Sequence, residues 1–200
     1  MMRTIVVATG NASKFKEIED IVQKYGVSAQ MSGIKIDVQE GVVSYEENAR
    51  LKASYLTSKL GIDALGEDSG IEIPALDGFP GVISARFIDG SDQDRNAALL
   101  GKMQHLKPED RKAVFKAFVV ITLKAGGSLT GYGELWGRIA DRAVGNNGFG
   151  YDPIFIPDGY DKTLALLPGH EKNAISHRRK AIESVIKQYV EHIKQFKIQH

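Results

Sequence analysis

No cysteine occurs in the 200-residue chain. That excludes a disulfide framework, a thiolate metal site and a cysteine nucleophile, so any metal must sit on oxygen or on histidine. Charge of one sign is also missing: 26 Lys plus Arg stand against 25 Asp plus Glu, for a net charge of +1. Such a balance gives no overall field for a long polyanion, whereas a local basic pocket for a small anion stays open. No basic stripe interleaves with aromatics, which argues against a nucleic-acid partner. There is no apolar run of about 18 residues, and the stretch Met1–Ala8 is too short for a secretory signal, so a soluble cytoplasmic protein without a membrane partner is expected. What is present is a 42% hydrophobic content, enough to fill one sizeable core. No repeat, linker or low-complexity segment divides the chain, and a single domain over residues 1–200 is expected.

The pattern of elements is mixed. Thr4–Ala8 is an apolar run followed by a small-residue turn and then by Phe15, Ile18, Ile21 and Val22 at helical spacing, which predicts strand, loop and helix. Ile34–Val38 alternates and predicts a short strand; the next helix turns Ala49, Ala53, Leu56 and Leu60 inward. Ala64–Gly66 begins a strand that Ser69-Gly70 is expected to interrupt before Ile71–Ile73 resumes. The segment ALDGFPGVISARF reads as a Gly/Pro-punctuated connection into another short strand, with Arg86 either an anion contact or a surface charge. Ser91 starts a capped helix with Ala97, Leu100 and Met103 inward. Two long strands joined around Gly126-Gly127 predict a hairpin, Pro153–Ile156 a short strand, and the chain after Ser176 a helix with Ile182, Val185, Ile186, Tyr189 and Ile193 on one side. Strands and helices intermixed with one hairpin imply an α/β fold with a mixed sheet.

Two segments invite chemistry. Thr9-Gly10-Asn11-Ala12-Ser13-Lys14 offers backbone N–H groups at a helix start together with hydroxyl, amide and ammonium donors, as an oligophosphate requires, although a plain strand-to-helix turn has the same composition. It does not fit the Walker A pattern. Glu67-Asp68 places adjacent carboxylates in an apolar strand, where neighbouring side chains point to opposite faces unless the backbone bends. A carboxylate in such a setting is paired, protonated or metal-bound. Magnesium on one or two carboxylates plus phosphate oxygens satisfies it; the alternative is that Asp68 caps a turn and Glu67 reaches solvent. His105, His170, His192 and His200 show no ligand spacing.

In order along the chain, VATGNASKFKEI, EDSGIEIPALDGFPGVISARF, GNNGFGYDPIF and EKNAISHRRKAI resemble the motifs of the inosine triphosphate pyrophosphatase family, over nearly the whole length. The resemblance implies an elongated α/β fold with a long mixed sheet flanked by helices, and two lobes around a central cleft. It further implies magnesium-dependent hydrolysis of ITP, dITP and XTP to monophosphate and pyrophosphate, and a homodimer. It assigns Thr9, Gly10, Asn11 and Lys14 to the phosphates with Lys52, puts Glu40 and Asp68 at the magnesium with Asp68 also the general base, and sets Ser69 beside the metal. It gives Phe149, Gly150, Tyr151 and Asp152 to the nucleoside, and Lys172, His177 and Arg178 to the base and adjacent groups. Donors on the last three would meet the 6-oxo acceptor of hypoxanthine or xanthine and clash with the 6-amino donor of adenine.

The chain departs from the family pattern at Glu67, where an aspartate is common, at Ser44-Tyr45, and at Leu166, where a carboxylate is common. Two rival readings follow: a pyrophosphatase of the related Maf-like group acting on modified pyrimidine nucleotides, and a nucleotide-binding regulatory module without turnover.

Overall fold

The computed structural model describes residues 3–198; Met1, Met2, Gln199 and His200, and with them the start of the N-terminal run and one of the histidines named above, lie outside the described residues. Six strands form one sheet in the order β2-β1-β3-β4-β5-β6. They are β1 (Arg3–Ala8), β2 (Val27–Met31), β3 (Ala64–Glu72), β4 (Lys112–Thr122), β5 (Ser128–Ile139) and β6 (Phe155–Pro157). The helices are α1 (Ala12–Val22), α2 (Tyr45–Leu60), α3 (Asp92–Lys102), α4 (Gly169–Ile175) and α5 (His177–Ile198). β1 pairs in parallel with both β2 and β3, while β5 and β6 are antiparallel, so the sheet is mixed as the element pattern requires. β4 and β5 are neighbours joined by a tight loop in which Leu123 N–H donates to Gly127 O, the expected hairpin.

The chain forms two compact units: the first comprises the chain up to Asp68, Ala117–Gly133 and the chain from His177 on, and the second Ser69–Lys116 and Glu134–Ser176. In the first, Ile5, Val7, Ile18 and Leu65 pack with Ile121, Ile182, Val185 and Tyr189. Each fully buried aliphatic side chain of this kind contributes about 1.5–3 kcal/mol. In the second, Ile71, Ile73, Leu99 and Met103 pack with Phe115, Phe155 and Leu164. Among the described residues no helix is long and apolar enough to cross a membrane.

Close contacts between elements are set by glycine. A Cβ on Gly66 would lie 2.0 Å from Ala49 O, so only glycine lets α2 settle on β3 at this depth. On β5, Cβ atoms at Gly131 and Gly133 would each lie 2.2 Å from a carbonyl of α5, those of Ala181 and His177 respectively. The two glycines share one face of the strand and bring the start of α5 against it.

Several local expectations are corrected. Ile34–Val38 is not a strand: the free edge of β1 is taken by Val27–Met31, Ile34 is 39% exposed, and Ile36 packs beside Val6 and Leu56. Ser69-Gly70 does not interrupt β3, which runs unbroken from Ala64 to Glu72. The segment after Pro80 forms a 3-10 turn, Gly81–Ile83, rather than a strand, and Arg86 is exposed. Ser91 does cap α3, in a reciprocal box with Asp94, but the buried stripe is Asn96, Leu99 and Met103 instead of one through Ala97 and Leu100. Leu60 is exposed at the end of α2, and the strand expected at Pro153–Ile156 lies at Phe155–Pro157 behind a 3-10 turn.

Candidate active site

The β1–α1 loop is built by its own side chains. Thr9 Oγ1 accepts from Asn11 N–H at 3.1 Å, and Asn11 caps α1 by accepting from Lys14 N–H at 3.0 Å. The amides of Ala12 and Ser13 occupy the first two positions of α1, where a helix supplies no partner of its own, and Gly10 and Asn11 are exposed. An anion is favoured at such a terminus.

Because β3 is continuous, Glu67 and Asp68 face opposite sides. Glu67 is 5% exposed and uses both oxygens: Oε2 accepts from Lys14 Nζ at 2.9 Å and Oε1 from Arg178 Nε at 3.0 Å. Arg178, 3% exposed, also donates to Glu17 at 2.5 Å. Burial by itself would push the Glu67 carboxyl up, but Arg178, Lys14 and Lys52 outweigh it and hold it well below the usual carboxylate range. Thus Glu67 neither reaches solvent nor shares a pocket with Asp68; it ties α1 and α5 to the sheet.

Asp68 faces α2. Its Oδ2 accepts from Asn48 Nδ2 at 3.0 Å, its Oδ1 lies 3.3 Å from Lys52 Nζ, and the same ammonium lies 2.9 Å from Glu40 Oε1. Asn48 also holds Gly41, accepting from its N–H at 2.8 Å and donating to its C=O at 3.1 Å, which fixes the backbone beside Glu40. Burial pushes the Asp68 carboxyl up; Lys52 and Asn48 pull it down and Glu67 and Glu40 push it up again, leaving it above the ordinary aspartate value. Burial works against the Lys52 ammonium, yet Asp68, Glu40 and Glu67 outweigh burial and raise its pKa. Both values are raised: the Lys52 ammonium is favoured by two carboxylates in contact, Asp68 and Glu40, while burial, the largest effect on Asp68, outweighs the pull of the one ammonium they share.

Glu40 and Asp68, from separate segments, both reach one cation, the Lys52 ammonium. A divalent ion fits that donor set. Magnesium binds through one or two carboxylates and keeps water or phosphate oxygens for the rest. Among the described residues no group of three or more His, Cys, Asp or Glu that could hold a metal ion occurs.

The second unit holds another cluster. Asp152, 5% exposed, accepts through Oδ2 from Phe149 N–H at 2.9 Å and from Lys172 Nζ at 2.6 Å, and that ammonium stands 4.7 Å from the centre of the Phe149 ring. Gly148 has φ +82°, and a Cβ there would lie 2.0 Å from Asp152 Oδ2, so glycine is needed for the carboxylate to fold under its own loop. Tyr151 is 7% exposed, and its hydroxyl donates to Ser84 O. Ser69, the first residue of the second unit, follows Asp68 on β3.

The structure therefore gathers Lys14 with Arg178 through Glu67, and Glu40, Lys52 and Asp68 around one ammonium. It gathers Phe149, Asp152 and Lys172 around a second. His177 begins α5 in the first unit and Tyr151 lies in the packed core of the second. Sequence reading missed Asn48, whose amide joins Asp68 to Gly41, and Glu17, which shares Arg178; their only signal was polarity on helices otherwise read as solvated.

The sequence profile of the Ham1 family matches residues 5–188. A dITP/XTP pyrophosphatase of Deinococcus deserti is 42% identical over 92% of this chain and 88% of its own, and one of Aquifex aeolicus is 39% identical over 91% and 94%. Among solved structures, a HAM1 protein from Coxiella burnetii is similar with a TM-score of 0.84 at 33% identity, covering 95% of this chain and 100% of its own. The Staphylococcus aureus Ham1 protein gives 0.83 at 34%, with the same coverage.

Proposed function

Because the chain belongs to the Ham1 family, we propose that it is a nucleoside triphosphate pyrophosphatase that cleaves ITP, dITP and XTP to the monophosphate and pyrophosphate. The reading is supported by relatives of about 40% identity named dITP/XTP pyrophosphatases. The observation that carries it is the Glu40–Lys52–Asp68 group, in which carboxylates from two separate segments meet over one ammonium.

Asp68 is the general base. Its carboxylate takes the proton of the attacking water as the α–β anhydride bond breaks and pyrophosphate departs. Lys14, Lys52 and the amides at the start of α1 neutralise the phosphates and the departing pyrophosphate. Glu40 and Asp68 would hold magnesium, which when bound would supply further neutralisation of the triphosphate charge. Ser69 belongs beside that centre. Phe149 stacks on the purine, Gly150, Tyr151 and Asp152 shape its pocket, and Lys172 with His177 and Arg178 supplies donors for the 6-oxo group. The protein acts as a cytoplasmic homodimer.

The test is pyrophosphate release from ITP, dITP and XTP, with GTP and ATP as comparators, in magnesium and after chelation. Asp68→Asn is expected to lower turnover by about a thousandfold while nucleotide binding stays measurable. Near-normal turnover in that variant removes Asp68 from the mechanism.

A further inference from the structure

Gly150 is grasped at both backbone groups by one helix. Its N–H donates to Asp92 Oδ2 at 2.7 Å, and its C=O accepts from Asn96 Nδ2 at 3.0 Å. Asp92 and Asn96 stand four residues apart on α3, one turn above the other on the same face. The second oxygen of Asp92 is itself oriented, accepting from Arg95 at 2.7 Å. Gly150 has φ +61°, and the chain from Asp141 to Tyr151 contains neither helix nor strand. Its conformation near Phe149 and Gly150 rests on side-chain bonds from Asp92, Asn96 and Asp152 and on one backbone bond, from Asp152 N–H to Phe149 O at 3.3 Å.

We propose that Asp92 and Asn96 are positioning residues for substrate selection: they hold Gly150, and through it Phe149 with its Lys172 neighbour, in the geometry that reads the purine. This rests on the nucleotide reading above. Neither residue was singled out by sequence motif.

Asn96 carries the argument furthest. It is 3% exposed and lies in the buried stripe of α3 with Leu99 and Met103, where an apolar side chain would be expected. Its Oδ1 is buried without a hydrogen-bond partner. An unpaired buried acceptor weakens a fold, and stability alone would favour leucine at this position. The return on placing asparagine there is the bond to the Gly150 carbonyl. Segments lacking ladder hydrogen bonds of their own open most readily, so a loop that must present an aromatic ring and an ammonium at fixed positions needs such external ties.

The experiment measures pyrophosphate release from dITP and GTP, together with thermal unfolding, for wild type, Asn96→Leu, Asp92→Ala, Asp92→Asn and the double variant Asp92→Ala/Asn96→Leu. Each of Asn96→Leu and Asp92→Ala should raise KM for dITP roughly tenfold with kcat within about threefold of wild type, and should narrow the preference for dITP over GTP roughly tenfold. Asp92→Asn keeps an acceptor for the Gly150 N–H and should stay near wild type. The double variant should be little worse than the poorer single one, because both act through Gly150. Asn96→Leu should unfold at or above the wild-type temperature. Unchanged KM and unchanged dITP preference in Asn96→Leu and Asp92→Ala would overturn the proposal, whatever their stability. Wild-type protein that releases no pyrophosphate from any of these nucleotides would overturn the nucleotide reading and this inference with it; active wild type with unaltered variants overturns this inference alone.

Discussion

Replacing Glu67 by glutamine tests how the first unit is held together. Glu67 sits between two cations, and its side chain is 3% exposed, as against 4% for Arg178 and 24% for Lys14. A glutamine oxygen can accept from only one of them, and its amide then faces the other as donor against donor. Arg178 stays in the interior and keeps its ion pair to Glu17. Breaking a buried pair from one side costs about 3–5 kcal/mol. For a chain of this length each kcal/mol moves the unfolding midpoint by roughly 2–4 °C, so Glu67→Gln should lower it by about 6–20 °C at neutral pH. Added salt should change that gap little, because the charges are screened by protein. The combined variant Glu67→Gln/Arg178→Met removes both interior charges and leaves Glu17 and Lys14 three residues apart on α1, so it should recover a large part of the loss. The sign with pH follows from the depressed Glu67 value: its stabilisation is complete above the unfolded glutamate value of about 4.3 and is lost as pH falls from there through the folded value. The gap between wild type and Glu67→Gln should shrink over that acid window only. Thermal unfolding followed by circular dichroism decides; a change in midpoint below about 2 °C would refute the interior ion-pair reasoning.

Gly66→Ala forces a methyl group against the Ala49 carbonyl and should cost about 1–3 kcal/mol, measured by urea unfolding. Turnover should fall with it, because the displaced helix carries Asn48 and Lys52. Asp152→Asn keeps an acceptor for the Phe149 N–H but removes the carboxylate under Lys172; a tenfold or larger rise in KM for dITP, roughly the loss of one charge-assisted bond, is expected from steady-state titration.

The charge arrangement separates two tasks on adjacent residues of one strand. Glu67 takes a cation on each oxygen, Lys14 on one and Arg178 on the other, and is suited to holding elements in place. Asp68 is pushed up chiefly by burial and shares the Lys52 ammonium with Glu40. The continuous strand makes this possible, since alternation sends the two carboxylates into different environments.

What the sequence determined by itself was local. The strand–loop–helix at Thr9–Lys14, the Ser91 cap, the hairpin at Gly126-Gly127 and the apolar side of α5 follow from spacing and turn chemistry within a few residues. The family resemblance also pointed to Glu40, Lys52 and Asp68 and to Asp152 and Lys172, residues that the structure gathers into two clusters. Tertiary structure decided the rest. Ile34, Ile36 and Val38 alternate as a strand would, but a strand needs a partner, and the open edge of β1 had gone to Val27–Met31. Ser69-Gly70 looked like a break, yet β3 continues through it. Glu67 meets Lys14 and Arg178 across 53 and 111 residues of chain, and Asn96 meets Gly150 across 54, distances at which periodicity carries no information. Which partners each carboxylate meets depends on segments far apart in the chain, and only tertiary packing brings those together.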